Sequence, residues 1–255
     1  MKKIKSRMLA LLMVLIMCIG QFNVVFANDG VAGYVTVAVE KFTLGQGYYI
    51  EPVNVPFYEN EKVGSVVARV LGDGKYNKGR NSSNISYLAN VYDPNPGAVK
   101  IPAYIMNKLE DFGGVEQTTH TWLGEFDYSV MSGWMYFVNN DMPDVGMNNY
   151  VCHNGDVIRL EFTLYGYGTD LGVSSEWSGP ALIPVANKDQ LTKLVADING
   201  RPDKAVLLQS QLPNDNATVG DYYDTAIFAL TNMETEQAMV DLSYAALQDA
   251  VNSAN

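Results

Sequence analysis

The chain has 255 residues, of which 47% are hydrophobic and 18% charged, proportions of an ordinary globular protein that exclude collagen-like, coiled-coil and disordered classes. Lys and Arg number 17 against 28 Asp and Glu, a net charge of −11. So negative a surface repels phosphate backbones, and a nucleic-acid partner is not expected.

Residues 1–7 carry Lys2, Lys3, Lys5 and Arg7, residues 8–19 are almost purely apolar, and Val25-Phe26-Ala27 offers small residues where a signal peptidase reads. The pattern predicts a secretory signal over 1–27, cleaved after Ala27, and a product that is secreted or held at the cell surface. The apolar run is about a dozen residues, short of the roughly 20 a bilayer-spanning helix needs, and no second run follows. No transmembrane segment is expected after cleavage. Loss of the four basic residues, with no acid beside them, takes the net charge to −15. Cys18 goes with the leader, since Met17 before it is too large for a lipoprotein signal. Cys152 is then the one thiol left, so stability must come from the core and not from disulfides. Its neighbour His153 points to the opposite side of an extended segment, which disfavours a catalytic dyad and leaves Cys152 a small buried hydrophobe.

From residue 35, "VTVAVEK" is rich in β-branched residues and predicts a strand. Val53, Val55 and Phe57 alternate as a second strand. The period then changes, with Val63, Val66, Val67, Val70 and Leu71 forming the stripe of an amphipathic helix closed by Gly72. Strand, strand, helix is the first half of a β-grasp. Residues 72–84 are a polar loop whose three basic residues make it the one locally positive patch. Ile101-Pro102, Ile105 and Leu109 predict a short helix with proline in its first turn and Gly113 beyond its end. "GWMYFVNN" from Gly133 is a strand entering a turn. From Asp156, Ile158, Leu160, Phe162 and Leu164 share one face and Arg159, Glu161, Thr163 and Tyr165 the other, which predicts a strand with one solvated side.

Residues 173–187 hold two prolines without a helical stripe and read as a linker. Beyond it Leu191, Leu194, Val195 and Ile198 form one helical face, with Asn187 as its cap and Gly200 at its end. Residues 219–230 and 240–251 form two more. The fold class expected is α+β: a β-grasp-like domain over 28–172, the linker, and a three-helix bundle over 188–255 with 4 basic and 10 acidic residues on an acidic outer face.

The stretches that begin at Val35, Leu123 ("LGEFDYSVMSGWMYFVNNDMPDVGMNNY") and Gly155 ("GDVIRLEFTLYGYGTDLG") resemble a bacterial domain of unknown function that is similar to the C-terminal domain of transcobalamin, a soluble-ligand-binding β-grasp. The resemblance spans about 33–172. It places the family's pattern on Gly133, Trp134, Tyr136 and Asn139, and then on Gly146, Tyr150, Gly155 and Asp156. It implies a ligand-binding scaffold without the large helical barrel that holds a corrinoid in the eukaryotic transporters. A cobalamin-type ligand is therefore left open, no cofactor is assigned, and neither His120 nor His153 falls on a cobalt-ligand position. Residues 191–251 are similar to FIVAR modules, the three-helix spacer or attachment units of Gram-positive surface proteins.

These residues define a candidate ligand site at Trp134, Tyr136, Asn139, Gly146 and Tyr150. Aromatic faces supply large apolar area at small entropic cost. Alternation sets Trp134, Tyr136 and Val138 against Met135 and Phe137, and because both faces are apolar, one is expected to remain open to a guest. Asn139, Asn140, Asp141 and Asp144 could present oxygens to a cation, but their spacing matches no calcium loop and reads as a turn. Trp122, Glu125, Phe126, Asp127 and Tyr128 mix acids with aromatics as sugar-binding clefts do, and also as loops beside a sheet edge do. No nucleophile elbow or phosphate loop occurs, and two histidines offer little for acid–base catalysis. The expected function is non-catalytic binding of a small molecule or glycan through the β-grasp domain. The alternative is an adhesion or spacer protein made of structural modules and met by a cell-surface partner; a hydrolase is the weakest class. No sorting signal is recognisable near Asn255.

Overall fold

A computed structural model describes residues 30–78, 85–116, 121–174, 176, 179–213 and 216–254. The expected leader over 1–27 with Cys18, part of the basic loop, and His120 lie outside the described residues. Among those described, no helix is long and apolar enough to cross a membrane.

The fold is α+β, and its main sheet is built from β1 (Val31–Glu40), β2 (Tyr48–Tyr58), β6 (Gly133–Val138) and β7 (Val157–Thr163) in the order β2-β1-β7-β6. The first and last strands meet in parallel at its centre, Thr36 opposite Val157 through Glu40 opposite Glu161, which is the β-grasp arrangement. Strand β6 joins β7 antiparallel, from Gly133 opposite Thr163 to Val138 opposite Ile158. A second sheet, β3 (Tyr76–Lys78), β4 (Leu88–Tyr92) and β5 (Trp122–Gly124), is antiparallel and adds Leu88, Val91 and Leu123 to the same core.

Helix α1 (Val63–Leu71) keeps its expected stripe: Val63, Val66 and Val67 are fully buried and Leu71 nearly so. They pack in one core with Val35, Val37 and Val39 of β1 and Ile158, Leu160 and Phe162 of β7. Full burial of each such side chain is worth about 1.5–3 kcal/mol. No side chain caps α1; the carbonyls of Tyr150 and Met147 accept from the amides of Val63 and Gly64 instead, at 3.0 and 2.8 Å. Gly64 is required there, because a Cβ would stand 2.3 Å from the Ile85 carbonyl. Helix α2 (Ala103–Leu109) starts after Pro102 and buries Ile105 and Leu109, and Gly113 follows in the left-handed region.

The other face of the sheet departs from expectation. Every residue of β7 is buried, Arg159 and Glu161 included at 3% exposure each, so its predicted solvated side does not exist. Leu171, Ile183, Val185 and Met233 close over Phe137, Met135 and Phe42. The described part of 173–187 contains neither helix nor strand and supplies two of these covering residues. The polar side chains of β7 stay because they are paired: Arg159 forms a two-pronged bond to Glu40, Nε and Nη2 each at 2.8 Å, and its Nη2 lies 3.2 Å from Glu161.

Three helices, α3 (Asp189–Asn199), α5 (Val219–Thr231) and α6 (Gln237–Ala254), bury Leu191, Val195, Ile198, Val219, Ala226, Leu230 and Leu247 between them. A fourth, α4 (Lys204–Leu208), falls between the first two. Thr218 and Asp221 form a reciprocal capping box at the start of α5, which satisfies two amides that would otherwise lack partners. Asn187 Oδ1 accepts from the Asp189 amide at 3.0 Å, beside the N-cap Lys188. Helix α3 lies against β2, where Asn199 donates to the Pro52 carbonyl at 2.9 Å and Asn54 donates to Asp197 at 2.7 Å.

Candidate functional site

Strand β6 sets the five predicted site residues apart in role. The indole of Trp134 is 5% exposed, meets Phe162 edge-on at 5.2 Å and donates from Nε1 to the Leu123 carbonyl at 2.8 Å. Its body is core. The alternate face, Met135 and Phe137, is covered by the chain's own Leu171, Val173 and Val185. The expected uncovered apolar face is thus covered in part: the prolines that made 173–187 look like a spacer accompany apolar residues that pack on the sheet and leave a cavity over Phe137.

Tyr136 is half-buried and donates its hydroxyl to the Val145 carbonyl; burial raises its pKa to about 12. Asn139 fixes a turn. In the left-handed region at φ 53, it accepts from the Val157 amide at 3.0 Å and donates to Asp156 at 2.8 Å, and Asp156 in turn accepts from the His153 amide. Gly146 allows a close approach, since a Cβ would lie 2.5 Å from Ser86 Oγ, and its carbonyl accepts from the Asn149 amide. Tyr150 is half-buried and its carbonyl caps α1.

What these residues frame is a cleft of about 200 Å³, bounded by Ser86, Tyr87 and Leu88 on one side and Met142, Pro143 and Met147 on the other, with Trp134, Tyr136 and Leu160 at its base. Of the predicted set, Trp134 and Tyr136 line it, Gly146 brings the two walls together, and Asn139 and Tyr150 hold the ends of the second wall. Tyr87, Met142 and Met147 were not anticipated; the one signal for them is methionine beside proline in an otherwise polar loop. Tyr87 and Met142 are 41% and 39% exposed. Burial and then the Glu125 carboxylate raise the Tyr87 pKa.

A second, shallower groove gathers Trp122, Glu125, Phe126 and Asp127 with Asn90 and Thr121. Phe126 holds φ 65 and is 66% exposed, while Asp127 accepts from the Gly124 amide at 2.7 Å and so fixes the turn that displays it. Tyr128, also anticipated there, is buried in the main core.

Cys152 is buried, and burial followed by the nearby Glu61 pushes its pKa up to about 12, far from the thiolate a nucleophile needs. The 139–144 turn closes through reciprocal backbone bonds between Val138 and Asp141. Among the described residues no group of three His, Cys, Asp or Glu side chains could hold a metal ion.

One set of perturbed groups, Arg159, Glu161 and Lys188, clusters behind the sheet. Burial raises Glu161 from 4.5 to about 8, opposed by Arg159. Burial, helped by Arg159, lowers Lys188 from 10.5 to about 7, and its Nζ donates to the carbonyls of Leu230 and Asn232. A carboxyl raised on folding stabilises fully below its unfolded value, and that contribution is lost as pH rises through the folded value. Glu161 thus predicts falling stability between about pH 4.5 and 8. For Lys188 the sign is opposite: its contribution is complete above 10.5 and lost as pH falls through 7. Urea denaturation across this range should show a shallow minimum near pH 7–8. The stability of the native chain relative to Glu161→Gln should fall from pH 4.5 to 8 and then level off; a difference independent of pH would refute this.

Residues 113–163 match the family model described as a domain of unknown function, DUF4430. The matched segment contains Gly133, Trp134, Tyr136, Asn139, Gly146, Tyr150 and Asp156. A solved structure from Ruminococcus gnavus, described as a candidate metal binding protein, is similar at 8% identity with a TM-score of 0.26, covering 52% of this chain and 97% of that one. A likeness of that size carries nothing over to this chain. No curated protein matches.

Proposed function

We propose that the protein is a secreted, non-catalytic binding protein whose β-grasp domain takes one flat or branched apolar group in the cleft between Tyr87 and Met142. The observation that carries this reading is a cleft lined by aromatic and thioether side chains, two of them well exposed, on walls held by hydrogen bonds at both ends. Exposed methionine and tyrosine adapt to apolar partners at little entropic cost. The transcobalamin-like pattern, which falls on Trp134, Tyr136 and Gly146, agrees with a ligand at this place. Pockets that enclose whole cofactors run about 300–1,000 Å³, so at about 200 Å³ the cleft suits a ring or a side-chain-sized substituent. A corrinoid would meet it by one edge.

A second reading, glycan binding, is favoured by Phe126 and Trp122, displayed beside Asn90 and Glu125 in the open groove. Titrating the chain without its leader with cobalamin and with cell-wall glycans, followed by tryptophan fluorescence and binding heat, separates the two. Tyr87→Ala and Met142→Ala should each weaken a cleft ligand about 5- to 10-fold, roughly 1–1.4 kcal/mol, with an unchanged melting temperature. Phe126→Ala should do so for a glycan. Silence with both ligands at millimolar concentration would leave the adhesion or spacer reading in possession.

A further inference from the structure

Across β6 from the cleft, a separate cavity of about 410 Å³ opens between the 139–144 turn and the segments at 171–173 and 185. Phe137, Met142, Leu171, Val173 and Val185 line its apolar walls, Arg159 and Glu161 are the charged groups in its depth, and Asp141 and Asp144 stand at its exposed rim. We infer that this cavity is a binding site for a small alkylammonium or alkylguanidinium compound, its charged head directed to Glu161 and its methylenes laid along Phe137, Leu171 and Val185.

The charge arithmetic selects a cation. Arg159 is engaged by the Glu40 carboxylate through both Nε and Nη2, so its charge is already balanced. Among the described residues, Glu161 has one ion-pair contact, the 3.2 Å approach to that same Nη2. Lys188, the other cation of the cluster, directs its ammonium to the carbonyls of Leu230 and Asn232. With Glu161 ionised, Glu40, Glu161, Asp141 and Asp144 outnumber Arg159 and Lys188 by two charges, and with Glu161 protonated still by one; Asp189 nearby adds to the excess. An anion would meet two rim carboxylates on entry. The chain's net charge of −11 also favours the approach of a cation.

Size and lining select an organic cation over an ion. The volume lies inside the range of pre-formed ligand sites; Phe137, Leu171, Val173 and Val185 give an organic cation apolar contacts that a bare ion would not use, while among the described residues no group of three His, Cys, Asp or Glu offers the clustered ligands a hard cation requires. A buried carboxylate with one partner carries an uncompensated desolvation penalty that a second cation relieves. Glu161, with Arg159, Glu40, Lys188 and Asp189 around it, Tyr48 beside Arg159, and Asp141 and Asp144 at the rim of the same cavity, is protonated much of the time near neutrality. Binding should therefore expel a proton, and affinity should rise with pH up to about 8.

The test is calorimetric titration of the chain with agmatine and 1,4-diaminobutane, with butanol, butyrate and calcium as comparison ligands, in two buffers of different ionisation heat at pH 6.5 and 9. The amines should bind with proton release at pH 6.5 and little at pH 9. Glu161→Gln should weaken them at least about tenfold and abolish the release. The rim pair Asp141→Asn with Asp144→Asn, exposed and so harmless to folding, should weaken them about 2- to 5-fold, as exposed charge pairs do. Should Glu161→Gln not fold, the rim pair together with Val173→Phe, which fills the cavity, decides the matter. Failure of the amines to bind at 10 mM, binding no better than butanol, binding indifferent to these substitutions, or occupancy by calcium in their place would each overturn the assignment.

Discussion

Replacing Arg159 by methionine is expected to lower the free energy of unfolding by about 3–5 kcal/mol, the cost of stranding buried charges. The guanidinium is 3% exposed, holds both Glu40 oxygens at 2.8 Å and approaches Glu161 at 3.2 Å. Burial alone would lower the Arg159 pKa, yet Glu161 and Glu40 more than reverse this, so the group stays charged. Methionine matches most of its volume and removes all its charge, which leaves two carboxylates behind the sheet with no counterion but Lys188. Urea denaturation at pH 7.5 measures the loss. Protonation relieves the stranded acids, so the deficit should narrow toward pH 5. Adding Glu40→Gln and Glu161→Gln should recover much of it, because an apolar or neutral set of the same shape is often as stable as a buried ion pair. A single substitution that costs under about 1 kcal/mol would show that the cluster is not what keeps this face of β7 in place.

Trp134→Ala is expected to act on folding before it acts on any ligand. Large-to-small substitution of a buried aromatic costs about 3–5 kcal/mol, which for a chain of this size is about 6–20 °C in melting temperature. Two identifiable contacts go with it: the edge-on packing against Phe162 and the 2.8 Å bond to the Leu123 carbonyl. Trp134→Phe keeps the first and strands the acceptor of the second, at about 1–2 kcal/mol. Thermal melts of both variants distinguish this from a surface role, in which the melting temperature would hold and only ligand affinity would fall.

The sequence made the sheet and α1 legible because their periodicities are local. Val35, Val37 and Val39 alternate, and Val63, Val66 and Val67 fall at helical spacing. The misreading of β7 has an equally physical origin. Alternation of Arg159 and Glu161 with Ile158 and Leu160 looks the same whether the polar face meets water or a buried counterion, and that counterion, Glu40, stands 119 residues away. For the same reason an apolar Met135–Phe137 face looked unclaimed while its cover, Ile183 and Val185, lay in a segment punctuated by Pro180 and Pro184. Helix α4, five residues long, is too short to display a period. Of the candidate site, Tyr136 and Gly146 were readable from the resemblance, whereas Tyr87 and Met147 come from two separate loops that fold against each other, and no spacing rule joins them.

The start of α1 bears on how a guest would arrive. Its first amides hang on the carbonyls of Met147 and Tyr150, so the loop that walls the cleft cannot swing away without unravelling a turn of helix whose valines are wholly enclosed. Such a wall behaves as masonry rather than as a door. Capture there should be a lock-and-key event, with association rates set by diffusion and geometry and little entropy lost to ordering the receptor.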